Sequence, residues 1–270
     1  MLSTNGYSIS KISLKPEEIE KIKKELTMKP KVNFDMGNNK DAEEVVFELY
    51  RETDKRIYIP RYYGLVNYGV PKVIKSTGGA DISVGFVGKL REAQIEPINN
   101  FLEAARNPSK MGGIISVPCG FGKTIMSLYI ACALKKKTMF ISHKDFLNQQ
   151  FIETVREFAP AASIGIIKQN KVDVENKDFI IASLQSLAMR DYDSKIFEDI
   201  GFVIIDEVHH ISSQSFSNSL FKVVTKYMLG LSATMERKDG TTSVFKMFLG
   251  NVIYKAENKS ELLVEVRQVT

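Results

Sequence analysis

Residues Ile114 to Ala133 constrain this chain more than any other stretch. A short apolar run (Ile114, Ile115, Val117) leads into Pro118-Cys119-Gly120-Phe121-Gly122-Lys123-Thr124, after which Ile125, Leu128, Ile130 and Ala131 recur at helical spacing. The order is strand, glycine-rich turn, helix. Backbone amides of Gly120 to Thr124 can then converge on an anion at a helix N-terminus, where unpaired N–H groups and the helix dipole both favour negative charge. A triphosphate suits such a cradle: Lys123 reaches its β- and γ-phosphates, and the Thr124 hydroxyl ligates Mg²⁺. ATP and Mg²⁺ are the expected cofactors, with Gly120, Phe121, Gly122, Lys123 and Thr124 as binding residues. Val117 stands where G-x-x-x-x-G-K-[ST] has its first glycine. The motif alone therefore leaves open a plain glycine turn before a helix.

A chain of 270 residues with 44% hydrophobic content has room for one large or two small domains. The first six residues carry no basic-then-apolar signal, and no apolar run approaches the roughly 20 residues that span a bilayer. The reading is an intracellular, soluble protein with no membrane partner. Two cysteines without CxxC spacing support neither a disulfide framework nor a zinc site. The net charge of +5 is compatible with a polyanion but decides nothing alone.

Lys15 to Lys29 reads as a capped amphipathic helix stopped by Pro30. Alternation at Val45, Phe47 and Leu49, then Ile57-Tyr58-Ile59 beyond Thr53-Asp54-Lys55, predicts a β-hairpin. Arg61, Tyr62, Tyr63 and Tyr68 combine basic and aromatic groups; tyrosines beside a solvated arginine are preferred here over base stacking. Gly78-Gly79 and the weakly patterned run to Gly88 read as a boundary. From Lys89 onward helices alternate with strands at Thr138–Ser142, Ile164–Ile167, Phe179–Ala182, Phe202–Asp206 and Tyr227–Leu231, and a helix covers Asp145–Phe158. The fold class is α/β: a mostly parallel sheet covered by helices on both faces, preceded by a small α+β region.

Phe202-Val203-Ile204-Ile205 runs into Asp206-Glu207-Val208-His209-His210, which places two carboxylates at the C-terminal end of a buried strand, where open α/β sheets bind ligands. Asp206 suits Mg²⁺, and Glu207 suits polarising the water that attacks a γ-phosphate. The alternative, a solvated acidic strand end, loses weight beside the phosphate loop. The paired histidines lack the spacing of a zinc site. Cys119, in the turn before a helix and beside Lys123, is either a reactive thiol or a packed, inert one.

The phosphate loop, Asp206-Glu207-Val208-His209 and Ser232-Ala233-Thr234 resemble motifs I, II and III of a superfamily 2 helicase of the DExH type. Leu90-Arg91-Glu92-Ala93-Gln94 resembles that family's L-R-x-x-Q, which implies that Arg91 and Gln94 lie near the adenine. His143-Lys144-Asp145-Phe146-Leu147-Asn148-Gln149 resembles motif Ia, and Ala182-Ser183-Leu184-Gln185-Ser186-Leu187 the T-x-Q-S-L segment, which implies that His143, Gln149, Ser183 and Gln185 follow a nucleic-acid backbone. Taken singly, those four are ordinary polar residues at helix ends. Met235-Glu236-Arg237-Lys238-Asp239-Gly240 is similar to the P-E-R-K-D-G of the branch holding the transcription-factor-H repair helicase, type III restriction enzymes and helicases of phages and large DNA viruses. Met235 and Ser183 depart from its proline and threonine. Glu25-Leu26-Thr27 and Ile57–Gly64 look most like the N-terminal region of helicases from large eukaryotic DNA viruses, including the poxvirus transcript-release type.

The resemblance implies a RecA-like domain over residues 86–260 after an accessory region, 1–85, with 261–270 starting a connection to a second RecA-like domain missing from this chain. That second domain would carry Q-x-x-G-R-x-x-R, and no Gly-Arg dipeptide occurs here. The implied function is an ATP-dependent helicase or translocase in viral transcription, replication or repair. Lys123, Asp206 and Glu207 are catalytic, Thr124 and Asp206 hold Mg²⁺, and His209, Ser232, Ala233 and Thr234 couple the motifs. DNA is read ahead of RNA as partner, and the compartment is cytoplasm if viral, nucleus otherwise. The alternatives are an RNA helicase or a non-catalytic nucleic-acid-binding module; a small-molecule kinase leaves Ser232–Thr234 and the His143–Gln149 segment unexplained.

Overall fold

The computed structural model describes residues 1–3, 5–29, 46–74, 78–208, 213–234 and 242–256. The N-terminal part contains β1 (Leu2–Ser3), β2 (Gly6–Ser10), α1 (Pro16–Glu25), β3 (Thr27–Met28), β4 (Phe47–Glu48), β5 (Arg51–Glu52), β6 (Arg56–Ile59) and α2 (Arg61–Tyr68). A four-stranded antiparallel sheet of order β1-β2-β6-β5 is accompanied by the two-stranded ladder β3-β4. The rest comprises α3 (Glu92–Arg106), β7 (Gly112–Ser116), α4 (Lys123–Leu134), β8 (Thr138–Ser142), α5 (Asp145–Phe158), β9 (Ile164–Lys168), β10 (Lys171–Asp173), β11 (Phe179–Ser183), α6 (Leu184–Met189), β12 (Phe202–Ile205), α7 (Ser213–Leu220), β13 (Tyr227–Ser232), α8 (Thr242–Leu249) and β14 (Val252–Lys255).

These strands form one sheet, β10-β9-β11-β8-β12-β13-β7-β14, parallel throughout except at the β9–β10 edge. Every residue of β7, β8, β11 and β12 is buried, as continuous apolar runs covered on both faces must be. Strand alternation divides them between two cores. Met139, Ile141, Val203 and Ile205 face the one shared with α7, α8 and the N-terminal sheet, whereas Phe140, Phe202 and Ile204 face the one built with α3, α4 and α5. Burying a side chain of this size stabilises by about 1.5–3 kcal/mol, so both layers are held by the same strands.

Three expectations are corrected at the N-terminal end. The helix over Lys15–Lys29 stops at Glu25, because Leu26 is fully buried and its carbonyl accepts from the Leu49 N–H at 2.7 Å, turning Thr27–Met28 into a strand. The hairpin is shorter than expected: β4 pairs with β3, and only β5 and β6 pair across Thr53–Lys55. Arg61 is not solvated but fully buried. Val45 and Pro30 lie outside the described residues.

The stretch from Gly79 to Gly88 lies tightly on the large sheet's surroundings. A Cβ at Gly79 would come within 2.1 Å of the Gly201 nitrogen. Ala80 donates to Asp199 at 2.7 Å, Ile82 to Lys135 at 3.1 Å and Val87 to Phe158 at 2.7 Å, all backbone to backbone. Ile82 and Val84 are buried in the α3–α5 core.

Candidate nucleotide site and nucleic-acid track

Parallel strands bring their C-terminal ends to one edge, and the sheet order sets β13 between β7 and β12. The loop after β7, the carboxylates after β12 and Ser232 at the end of β13 thereby become neighbours. The Val117 N–H donates to the Ser232 carbonyl at 3.0 Å, and Val117 is buried. Val117 therefore continues the strand's contacts rather than opening the turn, which accounts for a side chain where the usual motif has glycine.

Gly120 and Gly122 have φ of 76° and 93°, conformations that cost an L side chain about 1–2 kcal/mol. Open space surrounds a notional Cβ at Gly120, whereas one at Gly122 would come 2.3 Å from Gln94 Nε2 and 2.9 Å from Arg91 Nη2. Arg91 Nη2 donates to the Gly120 carbonyl at 3.1 Å and also to the Phe121 carbonyl; Gln94 Nε2 donates to the Phe121 carbonyl at 3.0 Å. The α3 N-terminus thus engages the loop's carbonyls. α4 starts at Lys123, and the first N–H groups of any helix have no partner within it.

Lys123 Nζ lies 2.6 Å from Glu207 Oε1, with the two side chains only 10% and 15% exposed. Glu207 has φ of 49°, outside the strand conformation that precedes it. Its N–H donates to Asp206 Oδ1 at 2.9 Å. Burial first, then the neighbouring Glu207 charge, pushes the Asp206 carboxyl up to about 6, against the opposing pull of Lys123. Two carboxylates thus share one nearby ammonium in a poorly hydrated place. The carboxylate oxygens here, with Thr124 next to Lys123 at the start of α4, are of the hard-oxygen kind that suits Mg²⁺ together with phosphate oxygens. Ser232 is fully buried and donates its hydroxyl to the Thr234 carbonyl, while Ala233 is half-buried and Thr234 exposed. His209 and residues 235–240 lie outside the described residues.

Farther along the same edge, Gln185 Nε2 donates to the His143 carbonyl at 2.8 Å and the Ser183 hydroxyl to Gln185 Oε1 at 3.0 Å. His143, Ser183 and Gln185 line a cleft of about 640 Å³ with Lys168, Ser186 and Arg190. Gln149, on α5, lies instead at an adjoining cavity and donates to Glu153 at 3.0 Å. The structure adds residues that sequence reasoning missed. Ser186 accepts from the Gln169 N–H at 2.9 Å and Tyr192 donates to the Gln169 carbonyl at 2.8 Å, while Arg190 donates to Asn170, so the β9–β10 turn is pinned beside Gln185. Its signal was a two-residue Gln169-Asn170 break, with φ of 53° at Gln169, between Ile164–Lys168 and Lys171–Asp173.

The sequence model described as "Type III restriction enzyme, res subunit" matches residues 88–237, the span from just before Arg91 to beyond Thr234. The chain belongs to this family. Among relatives, it is 34% identical to "Putative ATP-dependent RNA helicase L396" of Acanthamoeba polyphaga mimivirus, over 97% of this chain and 50% of that protein. It is 30% identical to "DNA 3'-5' translocase XPB2" of Sulfurisphaera tokodaii, over 62% of this chain and 36% of the relative. Among solved structures, the UvsW helicase of bacteriophage T4 matches 90% of this chain and 94% of its own, with a TM-score of 0.60 at 14% identity. The likeness shows for this chain the α/β, RecA-like fold expected from the sequence, a mostly parallel sheet covered by helices. The chain spans about half the length of the mimivirus relative and of Invertebrate iridescent virus 6 helicase 161L. Among the described residues no helix is long and apolar enough to cross a membrane.

The two thiols differ in surroundings. Cys119 is exposed, whereas burial pushes the Cys132 thiol up to about 11. Limited alkylation followed by mass spectrometry should modify Cys119 well before Cys132, and ATP with Mg²⁺ should slow it. Equal labelling of Cys119 with and without nucleotide would remove Cys119 from the nucleotide's vicinity.

Proposed function

We propose that this chain is the nucleotide-binding half of an ATP-driven helicase or translocase. The observation that carries the reading is the convergence of Lys123 and Glu207 at 2.6 Å, with Asp206 and Ser232 beside them. On this reading Lys123 leaves Glu207 for the β- and γ-phosphates, and the α4 N–H groups bind the same oxygens. Glu207, once released, orients and polarises the attacking water. Asp206 and Thr124 would hold Mg²⁺, which would supply positive charge against the phosphate oxygens. Arg91 and Gln94 fix the loop and stand ready for the adenine. Ser232, Ala233, Thr234 and His209 carry changes at the phosphates to the strand ends that bear the nucleic-acid track. Ser183, Gln185, His143 and Gln149 contact its backbone. The division into 1–85, 86–260 and 261–270 belongs to this proposal.

DNA is the proposed track, supported by the Glu236–Gly240 resemblance and by a relative described as a DNA translocase. RNA is the second reading, favoured by the mimivirus relative's description as an RNA helicase. ATP turnover measured with duplex DNA, single-stranded DNA, RNA and no polymer tests both. Stimulation by one polymer class is the expected result, and indifference to all of them would overturn the reading. An arginine supplied from a second domain is worth roughly 10³–10⁵ in rate. Residues 1–270 alone should fall short by that factor of the same residues joined to such a domain, and should not separate strands. Strand separation by 1–270 at the joined protein's rate would refute the need for it.

A further inference from the structure

Beside the polar cleft lies a second cavity of about 390 Å³, and the two share Asp145, Lys168 and Ser183. Its floor is apolar, made by Ile152, Ile166 and Ile181, and its rim is polar, with Asn148 and Gln149 on α5. Phe146 forms a wall and is 63% exposed. A phenylalanine left this exposed forgoes much of the stabilisation that burying its ring would give. Lys144 Nζ stands 5.7 Å from that ring's centroid, and Lys168 Nζ neutralises Asp145 at 2.8 Å. An apolar slot with a few convergent polar groups, one aromatic wall and Lys168 at the edge it shares with the polar cleft has the chemistry of a site for a flat, hydrogen-bonding ring attached to a phosphate chain.

We propose that this cavity is a nucleobase subsite: one base of a single strand held in the His143–Gln185 cleft turns into it and stacks on Phe146. The inference rests on the reading of that cleft as a nucleic-acid track. Continuity through Ser183 and Lys168 sets the order of contacts, with phosphate at the polar cleft and base one step away. Asn148, on the cavity's polar rim, offers its amide to the base edge. Asn148 Oδ1 already accepts from the Ser142 hydroxyl at 2.9 Å, which leaves its amide N–H groups as the donors available there. A subsite of this kind would make the protein sensitive to the presence of bases, whereas backbone contacts alone are indifferent to them.

The test is equilibrium binding, by fluorescence anisotropy, of short single strands that share one backbone and either carry bases or are abasic, in deoxyribose and ribose forms. Wild-type chain should bind the base-bearing strand about tenfold tighter than the abasic one, the size of one stacking contact. Phe146→Ala should bind both strands at the abasic level with an unchanged salt dependence, since phosphate contacts are untouched. A 2-aminopurine in the strand should be quenched by the wild-type chain and not by Phe146→Ala, whose melting curve verifies its fold. Equal wild-type affinity for base-bearing and abasic strands, or a tenfold preference kept by Phe146→Ala, would overturn the subsite and leave the track standing. Failure of every strand to bind would overturn the track, and the subsite with it.

Discussion

Lys123→Ala and Glu207→Gln should each lower ATP turnover by at least about 100-fold, and only the glutamine variant should retain nucleotide. The lysine supplies positive charge to phosphate oxygens in a site with little water, where removal of one such group costs roughly 10²–10³ in rate. Positioned proton transfer and water orientation contribute about 10²–10⁴. In the free protein the two side chains neutralise each other at 2.6 Å, so nucleotide must compete with Glu207 for the ammonium. Glutamine removes that competitor's charge, and ATP affinity of Glu207→Gln should equal or exceed wild type. Single-turnover hydrolysis with protein in excess, beside equilibrium binding of a fluorescent ATP analogue, separates the two effects. Turnover within threefold of wild type in either variant would sink the catalytic assignment, and weaker binding by the glutamine variant would sink the competition.

Much of this arrangement was legible because the signals are local. Thr138–Ser142 and Asp145–Phe158 match the observed β8 and α5 to the residue, since an apolar run beside an amphipathic period admits one reading. The phosphate loop and Asp206-Glu207 follow strands, and their meeting then needs only the strand order. What stayed hidden depends on distant partners. Leu26 leaves its helix because Leu49, 23 positions away, donates to it. The short β10, α6, α7 and α8 carry periodicities over 3–8 residues, too few to separate from loops. Phe146 gave no signal at all, because exposure is set by whatever fails to cover a residue.

Arg61 was misread for the same reason, and it carries the other large expected effect: Arg61→Met should destabilise the fold by about 3 kcal/mol. Sequence alone makes an arginine between Pro60 and two tyrosines a surface residue, as arginines mostly are. In the fold it begins α2 inside the core shared by the N-terminal sheet, α8 and the large sheet. Nη1 donates to the carbonyls of Lys110, Met111 and Lys226 at 3.2–3.4 Å, and Nη2 to the Leu249 carbonyl at 3.3 Å. Those carbonyls precede β7 and β13 and end α8, where a cation also meets the helix dipole favourably. No carboxylate is among these partners, and burial pushes the guanidinium down to about 10, so it stays charged at neutral pH. Removing the charge recovers its desolvation cost but takes a donor from buried carbonyls, at about 1–3 kcal/mol for one left with none; Met111 keeps the Met228 N–H at 3.3 Å. The Met111 and Leu249 bonds are buried, whereas those to Lys110 and Lys226 are partly exposed and can regain water. Lysine should lose less than methionine, because it keeps a charged donor but not the fork that spans three segments. Urea unfolding of wild type, Arg61→Met and Arg61→Lys measures this. A loss below 1 kcal/mol for methionine would mean that Arg61 adds little to what holds the N-terminal sheet to the nucleotide-binding sheet.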